Sequence, residues 1–465
     1  MVPASEVLAE LAERHLADEP GGGKPGVANT FDSGLASVER VAVAAYESYL
    51  HVNGLYPTSF PSISGLEHDL VAMVGARLNA PAGAAGSWTS GGTESCLLAA
   101  KAARDAHPEI DAPQIVFART AHAAWIKAAK YFGLEAVVTD VDHESLQVDP
   151  QAFADAITER TVLVVVSAPS YGHGVLDPVE AVAAICVERG VRLHVDACIG
   201  GWVLPYAEQL GYPVRPWDFR VPGVSSISVD LHKYGYAPKG CSILLYRDAQ
   251  LRRPQYFVTS RWTGYPVVNS TMQSSKAGGL LAAAWAVMRH LGDDGYLDLV
   301  RATMAATTEL VEGVHAIEGL RVLGTPAASL VAITTDGPDF FAFLDELEAR
   351  GWPIQPQLSQ PGVPAAIHLT LTATHGKYVS ELLAALAESS AAARNREPLP
   401  TPEQRAKVNG LAEDASPDQL FGLVGEALAE AGGRMAPIHA LLDSLPPTLQ
   451  ESALLAFFEG LNPPL

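Results

Sequence analysis

The chain has 465 residues, of which 48% are apolar and only 18% are charged, a composition that excludes wholesale disorder. Acidic residues number 52 and basic residues 31, for a formal net charge of −21, which excludes a general basic surface for nucleic acid or an anionic membrane. A chain of this length predicts two or three domains with a substantial buried core.

The cysteine content and the N-terminal segment indicate the compartment. Four cysteines in so long a chain do not make a disulfide framework, and they show no metal-ligand spacing. The first residues, MVPASEVLAELAERHL, carry acidic side chains where a signal peptide would be apolar. The longest apolar stretch, Gly278–Met288, is too short to span a bilayer. We therefore expect a soluble cytoplasmic protein with no membrane span and no nucleic-acid partner.

From about Trp88 to Tyr246, short β-branched runs alternate with Ala-rich segments that predict helices. The predicted strands are Ile115–Ala118, Ala136–Thr139, Thr161–Ser167, Arg192–Ala197, Ser225–Val229 and Ser242–Tyr246. Apolar strands separated by helices, such as Ala121–Phe132 and Pro178–Arg189, favour an α/β fold with a mainly parallel sheet covered on both faces. In such a fold a ligand binds at the carboxyl ends of the strands.

The C-terminal part of the chain predicts a smaller α+β domain after a long helical region that runs from Gly278 to about Ile317. Its predicted strands and helices are Ser329–Thr335, Phe340–Arg350, Ala366–Thr372 and His375–Ala391. We predict four segments in all. These are an N-terminal helical segment (1–60), a large domain (61–300), the small α+β domain (301–396) and a helical tail (397–465).

The tail begins after the sequence EPLPTP, which interrupts the preceding pattern. Thr401, Pro402 and Gln404 fit a capping box with proline at the first helical position. Farther along, an amphipathic stripe is formed by Leu454, Leu455, Phe457, Phe458 and Leu461. We interpret this stripe as a packing surface, against either the same subunit or a dimer partner.

The segment SSISVDLHKYGYAPKG, residues 225–240, points to a chemical site. A predicted strand delivers Asp230, His232 and Lys233 at its end, and glycine and proline residues then force a turn. Burying an ammonium group is costly unless it is paired or reactive. Lys233 is therefore either a Schiff-base lysine that holds a carbonyl cofactor or a solvated lysine on a turn.

Three further features favour the cofactor-binding alternative. TSGGTES, residues 89–95, precedes a predicted helix and offers backbone N–H groups to an anion. His122 lies near the start of AHAAWIKAAKY, residues 121–131, and either covers a cofactor ring or is simply exposed. Asp196 ends an apolar strand, where a protonated pyridine nitrogen would pair with it, although a helix cap is the common alternative. Phosphate cradle, aromatic cap, carboxylate and lysine thus follow one another at successive loops of one sheet.

Five segments carry a resemblance to a known family: TSGGTES, AHAAWIKAAKYFG, SAPSYGHGVLDP, HVDACIGGW and SISVDLHKYGYAPKGCSILLYRD. They resemble the group II pyridoxal-phosphate decarboxylases, and most of all their sphingosine-1-phosphate lyase branch, of which HKYGYAPKG is typical. The resemblance covers about Leu50–Val300 well and the smaller domain loosely. It implies the aspartate aminotransferase-like fold type I of PLP-dependent transferases, a homodimer with a shared active site, and pyridoxal 5'-phosphate as cofactor.

The resemblance also implies roles for individual residues. Lys233 would form the Schiff base with the cofactor, Asp196 would bind its pyridine nitrogen, and His122 would stack on its ring. The other implied contacts are Gly92 and Thr93 to the cofactor phosphate, the adjacent His232, Tyr171 in the active-site lining, and Lys239 to an anionic group of the substrate.

Three substrate-site positions depart from the family pattern. The lyases' Asn-Pro-Leu-His-Pro-Asp stretch reads Asn-Gly-Leu-Tyr-Pro-Thr here, so Tyr56 stands at the histidine position. Ser37 replaces an upstream tyrosine, and Lys276 begins the segment that matches an Arg-Pro-Gly-Gly element. We therefore expect intact cofactor contacts and altered contacts to a substrate phosphate.

The expected activity is PLP-dependent cleavage of a carbon–carbon bond, with Lys233 or Tyr171 transferring protons. A retro-aldol reaction would split a 2-amino-3-hydroxy substrate, phosphorylated or not, into an aldehyde and an amine. Decarboxylation of an amino acid is the alternative, and the sequence does not decide between the two. A cofactor-binding protein without turnover and an aminotransferase are less favoured, because all four cofactor features are retained and the motifs follow the decarboxylase and lyase group.

Overall fold

The computed structural model describes residues 2–16, 31–55, 58–410 and 434–461. The strands of its large sheet are β1 (Ala85–Thr89), β2 (Gln114–Ala118), β3 (Glu135–Thr139), β4 (Thr161–Ser167), β5 (Arg192–Asp196), β6 (Val224–Asp230) and β7 (Ser242–Tyr246). They lie in the order β1-β7-β6-β5-β4-β2-β3, with β7 antiparallel to both neighbours and every other pair parallel. The six predicted strands are confirmed to within one residue at each end, whereas β1 was not predicted.

The sheet is apolar on both faces because successive side chains of its strands enter two different cores. In β4, Val164 and Val166 pack in one cluster, and Leu163 and Val165 pack in the other. The helices that precede or connect the strands are α1 (Ala4–His15), α2 (Ala36–Ser48), α3 (Pro61–Arg77), α4 (Gly92–Asp105), α5 (Ala124–Phe132), α6 (Pro150–Ala156), α7 (Val179–Arg189), α8 (Leu204–Gln209) and α9 (Ala249–Arg252). The predicted α/β class is confirmed.

The predicted long helical region is α10 (Gly278–His315), and it is interrupted once. Gly292 has φ +57° and ψ −174°, a backbone conformation that favours glycine and breaks the helical path. The first half of α10 packs in the core of the large sheet through Leu281 and Val287, and the second half reaches the next core through Leu310 and Val314. Met304, which follows the break, still packs in the core of the large sheet, so the change of packing environment lies farther along the helix than Gly292.

The smaller sheet is antiparallel, in the order β10-β11-β13-β12, and two helices pack on it through a separate apolar core. Its elements are β10 (Leu320–Val322), β11 (Leu330–Thr335), α11 (Phe340–Ala349), β12 (Pro356–Gln357), β13 (Ala366–Thr370) and α12 (Val379–Ala393). A hairpin of β8 (Phe257–Thr259) and β9 (Val267–Asn269) precedes α10. The α+β character predicted for this part of the chain is confirmed, whereas the four segment boundaries stay predictions.

The described part of the tail is helical, as predicted, in α13 (Pro402–Asn409), α14 (Ala436–Ser444) and α15 (Pro447–Leu461). The capping box is confirmed, because Thr401 and Gln404 each accept a hydrogen bond from the other's backbone N–H. Residues 411–433 and 462–465 of the predicted tail lie outside the described residues.

Four members of the apolar stripe on α15 are partly exposed. Its members Leu454, Leu455, Phe457 and Phe458 are between 47% and 62% exposed, whereas Leu449 on the same helix is buried. A different side of the helix is therefore buried, and packing of the stripe against the same subunit stays a prediction. Contact with a dimer partner stays a prediction.

No helix in the described ranges is both long enough and apolar enough to cross a bilayer.

One buried carboxyl group near the end of β4 gives the fold a pH dependence. Asp177 Oδ2 accepts a hydrogen bond from the Ser167 N–H at 2.8 Å, and its Oδ1 is buried with no partner among the described residues. Burial raises the pKa of Asp177 to about 7. Between the ordinary Asp pKa and about 7, the folded state therefore holds a proton that the unfolded state releases, so stability falls as the pH rises across this range.

We predict that Asp177→Asn melts at a higher temperature than the parent at pH 8, by at least about 2 °C, with the difference vanishing near pH 4. The amide keeps the acceptor for Ser167 and carries no charge. Thermal unfolding at both pH values, with the exposed Asp111→Asn as the control, measures this. Equal destabilisation of Asp177→Asn at both pH values would contradict the prediction.

Candidate active site

The C-terminal ends of several large-sheet strands meet at one edge of the sheet. Ser167 at the end of β4 pairs with Asp196 at the end of β5. Across the antiparallel β7, Ser242 pairs with both Asp230 of β6 and Thr89 of β1. This edge opens into a cavity of about 330 Å³. Residues that are far apart in the sequence therefore line one small volume.

Lys233 lies in the turn that follows β6 and forms an ion pair inside the cavity. Its Nζ is 2.9 Å from Oδ2 of Asp230, whose side chain is only 2% exposed. Burial by itself lowers the pKa of Lys233, but the charge of Asp230 outweighs it and raises the pKa, so the amine is protonated. His232 Nδ1 accepts the Cys241 N–H, and its Nε2 is 3.6 Å from Asp230 Oδ2.

Asp196 is a buried carboxylate held by three donors. The Trp125 indole N–H donates to Oδ2 at 3.1 Å, the Cys96 thiol donates to the same oxygen at 3.7 Å, and the Cys198 N–H donates to Oδ1 at 3.2 Å. Burial alone would raise the pKa of Asp196, but the nearby His122 and the hydrogen bonds from Cys198 lower it. The group at the end of β5 is therefore an ionised acceptor.

Helix α4 begins beside these carboxylates, directly after β1. No described side chain caps its start, so the N–H groups of its first turn are available to an anion. Glu94 fixes the loop, because its carboxylate accepts the N–H groups of Ser90 at 2.6 Å and of Met272 at 2.8 Å. Gly92 leaves the space open, since a Cβ there would lie 2.7 Å from both Asp230 Oδ2 and Cys198 Sγ.

Aromatic side chains form another wall of the cavity. The rings of His122 and Tyr171 meet edge to face with centroids 5.8 Å apart, and Tyr171 lies 4.6 Å from His368 of β13. Burial lowers the pKa of His368 to about 4, so this ring is neutral. A second cavity of about 320 Å³ lies beyond His122 and Tyr171 and is also lined by Arg119 and Leu358. The first cavity therefore has neighbouring space for a larger ligand.

The structure brings together most of the site residues that the sequence predicted. Those that line the first cavity are Gly92, Thr93, His122, Tyr171, Asp196, His232 and Lys233. Lys239 is not among the lining residues: its Nζ donates to the His232 carbonyl at 3.0 Å and lies 4.7 Å from the ring centroid of Phe31.

Two of the three positions that depart from the family pattern, Ser37 and Lys276, are not among the residues that line the first cavity. Tyr56 lies outside the described residues. Ser37 Oγ is 3.0 Å from His290 Nε2, between α2 and α10, and does not line the cavity. Lys276 is buried, with its Nζ 4.5 Å from the ring centroid of Trp88.

Sequence reasoning missed the roles of Asp230, Trp125, Cys96 and Cys198 in this site. Asp230 was recognisable from its spacing, because a residue three positions before Lys233 can reach it across a turn. Trp125 and Cys96 gave no such signal, since a tryptophan and a cysteine among alanines are typical of a helix packed in a core. Only the fold places them against Asp196.

Comparisons with known proteins identify the family. A family profile described as the pyridoxal-dependent decarboxylase conserved domain matches residues 23–334. The sphingosine-1-phosphate lyase of Dictyostelium discoideum is 38% identical over 374 residues, which cover 80% of this chain and 69% of that protein. The chain belongs to the pyridoxal-dependent decarboxylase family. Within the family it falls in the sphingosine-1-phosphate lyase branch.

Solved structures of this family share the fold. The sphingosine-1-phosphate lyase of Burkholderia pseudomallei matches with a TM-score of 0.80 at 36% identity, over 85% of this chain and 92% of that one. The glutamate decarboxylase of Lactobacillus brevis matches with a TM-score of 0.74 at 20% identity, over 85% and 94%. The fold is thus the type I fold of PLP-dependent enzymes, as predicted. A second profile, a C-terminal HTH domain of pyridoxal-dependent enzymes, matches residues 403–460 of the tail, which the sequence alone had left unplaced.

The residues of this decarboxylase-family site fit pyridoxal 5'-phosphate, the cofactor of the family. The uncapped first turn of α4 suits the phosphate, because helix N-termini bind anions. The ionised Asp196 suits a protonated pyridine nitrogen, and Lys233 supplies the amine that an aldehyde requires. The phosphate, the pyridine nitrogen and the aldehyde of the cofactor therefore each have a partner of the right type in the cavity.

We predict that Gly92→Ala weakens binding of pyridoxal phosphate at least about fivefold. The added Cβ would lie 2.7 Å from Asp230 Oδ2 and Cys198 Sγ, and relieving such overpacking costs about 1–3 kcal/mol. Titration of the cofactor-free protein, followed by cofactor absorbance, measures the affinity. Gly65→Ala is the matched control, because a Cβ on that exposed face of α3 meets no described atom within 4 Å. Unchanged affinity in Gly92→Ala would contradict the prediction, because it would show that the first turn of α4 has room for an added methyl group beside the bound phosphate.

Proposed function

We propose that this protein is a PLP-dependent lyase that cleaves a 2-amino-3-hydroxy substrate, phosphorylated or not, into an aldehyde and an amine. The observation that carries the proposal is the convergence of Lys233, Asp196 and the start of α4 on one cavity, in a chain of the sphingosine-1-phosphate lyase branch. When bound, pyridoxal phosphate withdraws electrons through its protonated ring from the carbon that bears the substrate amine.

We assign the cofactor contacts as follows. Asp196 holds the proton on the pyridine nitrogen, because its carboxylate is ionised and its donors fix its position. Gly92 and Thr93 offer backbone N–H groups to the phosphate at the start of α4, with His232 adjacent. His122 covers the ring from the aromatic wall of the cavity.

Two side chains are placed to move protons. Asp230 Oδ2 lies 2.9 Å from Lys233 Nζ and raises the pKa of the amine, and it is the acceptor that can take the proton when the amine reacts. Tyr171 lines both cavities, where its phenol can donate its proton to the product and the phenolate that remains can accept the proton of a substrate hydroxyl. The ring of Tyr171 is positioned by His368, whose own ring contacts the Gly172 carbonyl.

The substrate would extend from the first cavity into the second, which provides about 320 Å³ beyond His122 and Tyr171. We propose that Lys239 binds an anionic group of the substrate at the rim. The support is its exposed position beside His232, outside the cofactor cavity. Tyr56 replaces the histidine of the lyase pattern, and a phenol donates one hydrogen bond but cannot supply the positive charge of an imidazolium.

We also propose a cytoplasmic homodimer whose partner completes the active site. An exposed apolar patch on and after the β8–β9 hairpin supports the dimer. Its members are Phe257, Val258, Trp262, Tyr265, Val268 and Met272. This segment contacts the first turn of α4 directly, because the Met272 N–H donates to the Glu94 carboxylate. The four free, buried cysteines are consistent with a reducing compartment, and in the tail acidic residues outnumber basic ones, so no nucleic-acid partner is proposed.

Product analysis tests the proposed function. The cofactor-loaded protein is incubated with phosphorylated and unphosphorylated 2-amino-3-hydroxy compounds and with amino acids, and aldehyde and carbon dioxide are measured separately. We expect aldehyde. Release of carbon dioxide without aldehyde would favour the decarboxylase alternative, and neither product from a cofactor-loaded protein would contradict both.

We predict that Lys233→Ala lowers the rate of aldehyde formation by roughly 10²–10⁴-fold, the loss typical of removing a positioned proton-transfer group. Lys130→Ala, an exposed lysine on α5, is the matched control and should keep the parent rate. Full activity in Lys233→Ala would exclude this residue from the reaction.

A further inference from the structure

Two thiols and a carboxylate that could hold a metal ion lie together at the floor of the cofactor cavity. Cys96 Sγ, a carboxylate oxygen of Asp196 and Cys198 Sγ all lie within 4.8 Å of one another, and all three residues are buried. Cys96 comes from α4, and Asp196 and Cys198 come from the end of β5 and the turn after it. All three also line the cavity, so a ligand entering it can reach them.

We propose that the cofactor-free protein binds a thiophilic divalent cation such as Zn²⁺ at Cys96, Asp196 and Cys198, and that the metal and pyridoxal phosphate exclude each other. Sulfur and carboxylate oxygen are ligands that Zn²⁺ takes in tetrahedral sites. Three protein ligands leave a fourth position, which water from the cavity fills. Each thiol gives up its proton to solvent as its sulfur binds the metal.

The metal and pyridoxal phosphate exclude each other because both would bind to the carboxylate of Asp196. The proposed cofactor contact and the proposed metal contact both need its carboxylate, and the metal would lie between that carboxylate and the cavity. This step rests on the proposed role of Asp196 toward the pyridine nitrogen, whereas metal binding itself rests only on the three ligand atoms.

The surroundings of the cluster favour a cation. The ion pair of Asp230 and Lys233 lies close by, since one added atom at Gly92 would touch both Asp230 Oδ2 and Cys198 Sγ. The opposing charge of Lys233 is offset by its ion pair with Asp230. Outer contacts fix two of the ligands, because Ser228 Oγ lies 3.3 Å from Cys198 Sγ and the Trp125 indole donates to Asp196.

Spacing along the sequence could not reveal this cluster. Cys96 is a hundred positions from Asp196, so no short motif contains both. The helix that offers its N-terminus to the cofactor also carries Cys96 one turn farther on, where it meets the end of β5.

Metal titration of the cofactor-free protein tests the proposal, with Co²⁺ and Cd²⁺ as probes because their bonds to thiolates absorb light. We expect one metal ion per chain with a thiolate-to-metal band. Cys96→Ala and Cys198→Ala should each weaken binding at least tenfold. Cys186→Ala, a buried cysteine on α7 outside the cavity, should bind like the parent. No stoichiometric binding, or the same binding in all three variants, would overturn the proposal, and circular dichroism checks that each variant is folded.

The order of addition tests exclusion. Protein loaded first with pyridoxal phosphate should take up no Co²⁺, and Co²⁺-loaded protein should bind the cofactor only after a chelator is added. Simultaneous binding of both would overturn the exclusion while leaving the proposed lyase function intact. Failure of pyridoxal phosphate to bind metal-free protein would instead count against the proposed function. The metal titration would still test the metal site, because it uses cofactor-free protein.

Discussion

The site depends on a carboxylate, Asp196, that is buried at the end of β5 and still ionised. Removing a charge from water is costly, and this one persists because Trp125, Cys96 and Cys198 all donate to it. Its donors come from α5, from α4 and from its own turn. The position of both helices against the sheet is therefore needed before the residue can act on a cofactor.

A second buried carboxylate, Asp230, organises the other half of the cavity. It pairs with Lys233, lies 3.6 Å from His232 and leaves no room for a side chain at Gly92. The antiparallel β7 connects this half of the cavity to the start of α4, because Ser242 pairs with the last residues of both β6 and β1, and α4 directly follows β1. These pairings bring Lys233, Asp196 and the first turn of α4 to one edge of one sheet.

Sequence patterns predicted those parts of the molecule that depend on local chemistry. The runs of β-branched residues in β4 and the capping box at Thr401 are visible without a structure, because burial on both faces and a capped helix start leave local signatures. β1 was missed because AGSWT carries little strand preference, and its pairing with β7 is what makes it a strand. The contacts of Trp125 and Cys96 with Asp196 join distant segments, so only tertiary packing reveals them.

Reduction of the cofactor-loaded protein with borohydride, followed by peptide mass mapping, tests the central claim most directly. A single pyridoxyl group on the peptide that contains Lys233 is the result expected from a site built around this amine and Asp196. A pyridoxyl group on another lysine, or none on a protein that has taken up the cofactor, would contradict the account.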